Sequence, residues 1–279
     1  MRTNALAATF MLLFAVILLV APSLADEPGL TVTFGTVTRH YTLSELLARP
    51  DVADVTTDHD PFYQRSMTFR AVPLAPLLAG VPSDQFDTVE MHATDGFIAQ
   101  IPLALARPDA PGGAEPWIAV EPPGRPWPVP SDAHVGAGPF YLIWQHAERS
   151  GITREQWVNW LDGLTAVASP AHRWPQLAVA ASLPADAAAR RGQAVFTSFC
   201  LPCHRIKGGG DAKVGPDLGK AGAYLTEPGI RALVRDPKAV RTWPQQHMPG
   251  FDAHTLPDAD LDALVAYLRV MAETGQPLR

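Results

Sequence analysis

The sequence predicts two domains: a mixed α+β domain over residues 26–165 and an all-α domain over residues 184–279, joined by a linker at 166–183. Three observations lead there. A chain of 279 residues is long enough for about two cores. Its first part carries short β-branched runs broken by glycine and proline. Its last part carries apolar residues at helical spacing around Cys200-Leu201-Pro202-Cys203-His204.

Residues 1–25 read as a secretory signal peptide. Arg2 supplies the positive start, Ala5 to Val20 the apolar run, and Ser23-Leu24-Ala25 a small-x-small cleavage site. Export to the periplasm by the general secretory route is the expectation. The competing reading is an uncleaved anchor, which alone would bring the chain to a membrane.

From Leu30 to Leu43 apolar residues alternate with threonine, giving two short strands around Gly35, and Ser44 is expected to cap a brief helix stopped by Pro50. Residues 74–79 suggest another short helix before Gly80. Thr88 to His92 and Phe97 to Leu103 read as strands joined at Asp95-Gly96. Between 108 and 140, nine prolines and five glycines predict a mostly irregular passage, followed by a strand over Phe140 to Trp144. Mixed short strands and helices make this an α+β domain.

Three stretches of it, residues 68–78, 92–102 and 138–144, resemble the molybdopterin-binding oxidoreductase domain of the sulfite oxidase family. The resemblance implies that fold and, in the family, a cysteine thiolate on molybdenum. This domain has no cysteine, and Asp58-His59-Asp60 stands roughly where the ligand would fall. Molybdopterin is therefore not expected, and the domain reads as a cofactor-free relative that docks a partner or binds a small ligand. Asp58-His59-Asp60 reads as an acidic turn with a solvated histidine. His92, His134 and His146 are scattered and read as structural, and Trp117, Trp127, Trp144, Trp157 and Trp160 as core.

Residues 166–183 turn to small apolar residues punctuated by prolines, which is linker composition. Pro184 and Asp186 then suit the first turn of a helix running to the cysteines, and Leu261, Leu264, Val265, Leu268 and Met271 form the apolar stripe of a terminal helix. Gly192 and Phe196, one turn apart, could cross against Leu264 and Tyr267.

Cys200 and Cys203 can add across the two vinyl groups of one haem, with His204 placed to ligate the iron. A zinc site would need further cysteines or histidines at recognisable spacing, and the chain holds only two cysteines. A thioredoxin-like dithiol would need a βαβ context that is missing here. One covalently attached haem c per chain is the expected cofactor. Its attachment takes place outside the bacterial cytoplasm, in agreement with the signal.

The glycine and phenylalanine before C-x-x-C-H, and the pairing of terminal helices, resemble class I cytochromes c. The resemblance implies Met248, 44 residues after His204 in Met248-Pro249-Gly250-Phe251, as the second axial ligand, with His247 its rival. It also implies that the carbonyl of Pro216, in Gly215-Pro216-Asp217-Leu218, accepts a hydrogen bond from His204 and fixes its ring.

Residues 26–183 hold 18 acidic against 9 basic side chains, and residues 184–279 hold 10 against 12. Neither part has the basic face of a nucleic-acid binder. The expected function is an exported c-type cytochrome carrying single electrons, partnered by a redox protein such as a periplasmic dehydrogenase, terminal oxidase or another cytochrome. The alternative is an oxidoreductase whose N-terminal domain oxidises a small substrate and passes electrons to the haem.

Overall fold

The structure, a computed structural model, describes residues 27–131, 133–242 and 248–273. The signal expected at 1–25, His247 and residues 274–279 lie outside the described residues.

The N-terminal part is built on two sheets. The first has five strands: β1 (Gly29–Phe34), β2 (Val37–Thr42), β5 (Thr88–Ala93), β6 (Ile98–Pro102) and β9 (Leu161–Val167). Their order is β2-β1-β9-β5-β6, antiparallel except for the parallel pair β1 and β9. The second is an antiparallel sheet of β3 (Ala53–Asp60), β4 (Arg65–Pro73), β7 (Glu115–Val120) and β8 (Phe140–Gln145), in the order β3-β4-β7-β8. Leu30, Val32, Met91 and Leu164 of the first sheet share one core with Val72, Ile118, Phe140 and Leu142 of the second. Alternate residues of the second sheet, among them Val55, Phe69, Tyr141 and Ile143, bury a separate core on its other face. Burial on both faces is why Phe140 to Trp144 is apolar without alternation.

Helix α1 (Leu43–Leu47) follows β2 as expected, but its cap is Thr42 rather than Ser44. Thr42 Oγ1 accepts the Glu45 N–H at 3.1 Å, and the Glu45 carboxylate accepts the Thr42 N–H at 2.8 Å, a reciprocal capping box. Helices α2 (Leu74–Leu77) and α3 (Leu103–Ala106) are single turns that follow β4 and β6.

Two segments read as turn and irregular chain are strands. Asp58-His59-Asp60 ends β3: Asp58 and His59 are exposed, while Asp60 is fully buried. Asp60 Oδ1 accepts the N–H groups of Phe62 and Tyr63, both at 2.9 Å, and the Tyr141 hydroxyl at 3.2 Å. Its duty is to close the β3–β4 hairpin, and burial raises its pKa despite those donors. Among the described residues no group of three or more His, Cys, Asp or Glu is placed to hold a metal ion. The tryptophans pack as core: Trp127 meets Phe69 edge-on at 5.0 Å, Trp157 leans on Tyr141, Trp160 meets Phe62, and Trp144 is buried between the sheets. His134 and His146 are exposed, and His92 Nε2 stands 3.3 Å from Glu90.

The C-terminal part is helical: α5 (Ala188–Val195), α6 (Ala221–Tyr224), α7 (Glu227–Arg235), α8 (Pro237–Val240) and α9 (Asp258–Glu273), after the short α4 (Pro170–Arg173). Thr226 caps α7 by accepting the Gly229 N–H. Residues 166–183 do more than connect. Val167 still belongs to β9, and Leu177 and Val179 are buried in the helical core. The Tyr267 hydroxyl donates to Leu177 O at 2.8 Å, and Val179 N donates to Gln193 Oε1 at 3.1 Å.

Arg173 joins the two parts. Its guanidinium donates to Glu90 on β5 and to Asp211 in the helical part, while its plane lies 4.0 Å over Trp174. Burial alone would raise the pKa of Glu90, but His92, Arg173 and Gln100 together hold it down to about 2. A carboxyl depressed in the folded state contributes stability that is fully present above its ordinary value of 4.5. Stability measured by chemical denaturation is therefore expected to fall as the pH drops from 4.5 toward 2. In Arg173→Ala that loss shrinks, because the strongest counter-charge is gone.

Candidate haem-binding site

The site begins with a helix that changes pitch. Helix α5 buries Ala189, Gly192 and Val195, and the chain then widens into a π turn over Phe196–Cys200. The Leu201 N–H reaches back five residues to Phe196 O at 2.8 Å. A tight turn follows, in which the N–H groups of Cys203 and His204 both donate to Cys200 O, at 3.1 and 2.7 Å. One turn thus presents two thiols and an imidazole together.

The crossing that seats this helix is tighter than its sequence suggests. A Cβ on Gly192 would lie 1.9 Å from Ala263 O and 2.6 Å from Tyr267 Cβ, and the Phe196 and Tyr267 rings are 5.5 Å apart. Tyr267 is met as expected. The backbone of Ala263, rather than Leu264, takes the close approach. Gly222 in α6 makes a second seat, where a Cβ would fall 2.5 Å from Leu268 O.

The loop after His204 fixes the imidazole. His204 Nδ1 lies 2.8 Å from Pro216 O. A carbonyl only accepts, so the proton is on Nδ1 and Nε2 is left bare as a donor to metal. Gly215 lies against the ring, where a Cβ would come within 2.5 Å of Cε1 and Nδ1. Asp217 folds the loop by accepting the N–H groups of Lys207, Gly208 and Gly219 at 2.9, 2.7 and 2.7 Å. Burial lowers the pKa of His204 more than the Pro216 carbonyl raises it, which keeps the ring neutral and able to ligate.

The thiols are free. Burial pushes both up, Cys203 to about 12, assisted at Cys200 by the negative charge of Glu155 and at Cys203 by Asp95 and then Glu155. A redox dithiol depends on the opposite, a lowered thiol.

The second axial candidate comes from the chain between α8 and α9. Met248 is partly buried and packs on the same core as Cys200, Phe199, Leu218 and Leu225. Its loop is pinned: Phe251 N donates to Val234 O at 2.9 Å, and Arg235 Nη1 donates to Phe251 O and Leu256 O at 2.8 and 2.7 Å. Phe251 meets Phe199 edge-on at 5.9 Å. Met271 is buried in the stripe of α9, where packing accounts for it. Two cysteines in one turn, a neutral histidine with a bare Nε2, and a thioether on an apolar wall fit a haem c.

Beyond the motif's own spacing, the N-terminal part touches the site. Ile98 N on β6 donates to Pro202 O, inside the C-x-x-C-H turn, at 3.2 Å. The short turn Arg154–Gln156 packs against Phe196–Cys200. Local pattern offers no signal for contacts that join residues so far apart in the chain.

The family model for cytochrome c matches residues 189–272. The C-terminal part therefore carries a cytochrome c domain, an electron-carrying haem module of the kind that exchanges electrons with a redox partner protein. No curated protein matches the chain.

Proposed function

We propose that this chain is an exported c-type cytochrome that passes single electrons through one haem, held covalently by Cys200 and Cys203, with its N-terminal part docking a redox partner or a small ligand. The observation that carries this reading is the His204 Nδ1 contact with Pro216 O at 2.8 Å, which presents a bare, oriented Nε2 beside two cysteines. His204 and Met248 would be the axial ligands. A haem held there would supply a ferrous/ferric couple, and with His204 and Met248 both on the iron its chemistry would be electron transfer. The Pro216 carbonyl would raise the basicity of His204, and the soft sulfur of Met248 would favour the ferrous state.

The N-terminal part resembles the sulfite oxidase molybdopterin domain without its cysteine. Its excess of 18 acidic over 9 basic side chains, beside a helical part with 10 against 12, supports a docking role by electrostatic steering. Residues 1–25 support export to the periplasm. Among the described residues no helix is long and apolar enough to cross a membrane.

In Met248→Ala the weak near-infrared sulfur-to-iron band of the ferric protein is expected to vanish and the midpoint potential to fall. An unchanged band would remove Met248 as ligand. Reversible one-electron reduction of the full chain by mediator dyes tests the carrier reading. Reduction of its own haem upon addition of sulfite or another small substrate, without any partner, would replace docking by catalysis.

A further inference from the structure

Glu155 is a buried charge that the electron-carrier reading does not use. It sits on the Arg154–Gln156 turn, which is closed by the Thr153 N–H donating to Gln156 Oε1 at 2.8 Å and the Gln156 N–H donating to Thr153 O at 3.0 Å. The residue is 7% exposed, and its Oε2 is buried without a hydrogen-bond partner. Such a carboxylate is costly to keep charged unless something nearby draws on it.

Its turn packs on Phe196–Cys200 and on β6, and Gln156 O accepts the Trp144 Nε1–H of β8 at 2.8 Å, a strand whose titratable Tyr141 donates its hydroxyl to Asp60. From Phe196–Cys200 the only titratable group is Cys200, and from β6, with the sequence Ile98-Ala99-Gln100-Ile101-Pro102, there is none. Cys203 also feels Glu155, together with Asp95. Among the described residues the positive charge of Arg154 acts on Glu155. The carboxyl thus lies within electrostatic reach of Cys200 and Cys203, on a turn that packs against Phe196–Cys200, with Arg154 as its basic neighbour among the described residues. Both cysteines would carry uncharged thioethers once haem is bound, leaving the charge on the iron as the variable that Glu155 feels.

We propose that Glu155 is a redox-linked proton acceptor: as the haem takes up one electron, this carboxylate takes up one proton from solvent. The inference rests on the electron-carrier reading above. The balance is simple. A one-electron donor protein supplies the electron to ferric iron, water supplies the proton, one O–H bond forms on Glu155, and oxidation reverses both. Ferric haem carries one more positive charge than ferrous haem, so the ferric state holds the carboxylate ionised and the ferrous state releases it to protonate. Burial has already pushed the group up to about 7, so the exchange falls near neutral pH.

The test is a spectroelectrochemical titration of the full haem-loaded chain between pH 5 and 9. At fixed ambient potential the ratio of ferrous to ferric haem is expected to fall with rising pH in a window around neutrality. The limit is tenfold per pH unit, which is about 59 mV for a one-electron couple. Glu155→Gln, which keeps the shape and removes the charge, is expected to flatten that window. Infrared redox difference spectra of the unmutated protein give an independent reading, with a protonated carboxyl band appearing upon reduction. A slope that persists in Glu155→Gln, or a potential independent of pH in the unmutated protein, overturns the proposal. A colourless protein, or one that cannot be reversibly reduced, would instead overturn the electron-carrier reading.

Discussion

Replacing Gly192 by alanine is expected to destabilise the helical part by about 3 kcal/mol, the upper end of what overpacking a tight contact costs. The added methyl would lie 1.9 Å from Ala263 O, a backbone atom that no rotamer change can move. Helices α5 and α9 must therefore separate, and with them Phe196 and Tyr267, whose rings now lie 5.5 Å apart. Because Phe196 opens the π turn that ends at Cys200, the same displacement reaches the haem attachment point. Denaturation followed at the haem absorption band measures the loss. A variant as stable as the parent would mean that the crossing is looser than described.

The second large effect is expected in the double substitution Cys200→Ser, Cys203→Ser. Serine preserves the turn closed by the bonds from Cys203 N and His204 N to Cys200 O, so the backbone has no reason to change. What disappears is the pair of sulfurs that can join a porphyrin. Covalently retained haem is expected to drop to zero. Because a haem bound to the folded state stabilises that state, the thermal midpoint should fall as well. Haem that stays fixed to the denatured double variant would contradict the attachment.

The parts of this molecule that could be read from sequence are those whose chemistry is local. Two thiols and a histidine within five residues specify their own geometry. Gly192 and Phe196 announced a helix crossing, because a glycine one turn from an aromatic makes room for a partner. The hairpin of β1 and β2 followed from alternation around Gly35, which has φ +55°.

What escaped was set by partners distant in sequence. β7 runs through a proline-rich passage, and only its place between β4 and β8 makes Glu115–Val120 a strand. Asp58-His59-Asp60 has the composition of a turn, yet Tyr141, 81 residues away, buries Asp60 at the end of β3. Residues 166–183 have linker composition, but Leu177 and Val179 complete a core whose need for them no local window reveals. Glu155 looks like any acid in a short turn until β6 and Phe196–Cys200 pack against that turn.

The most direct measurement is the intact mass and absorption spectrum of the denatured protein after expression beside a haem-ligation system. The mass should exceed that of the processed polypeptide by one haem, and the colour should stay with the chain through acid and solvent extraction. A colourless polypeptide at its bare mass, or haem that extracts freely, would contradict the account.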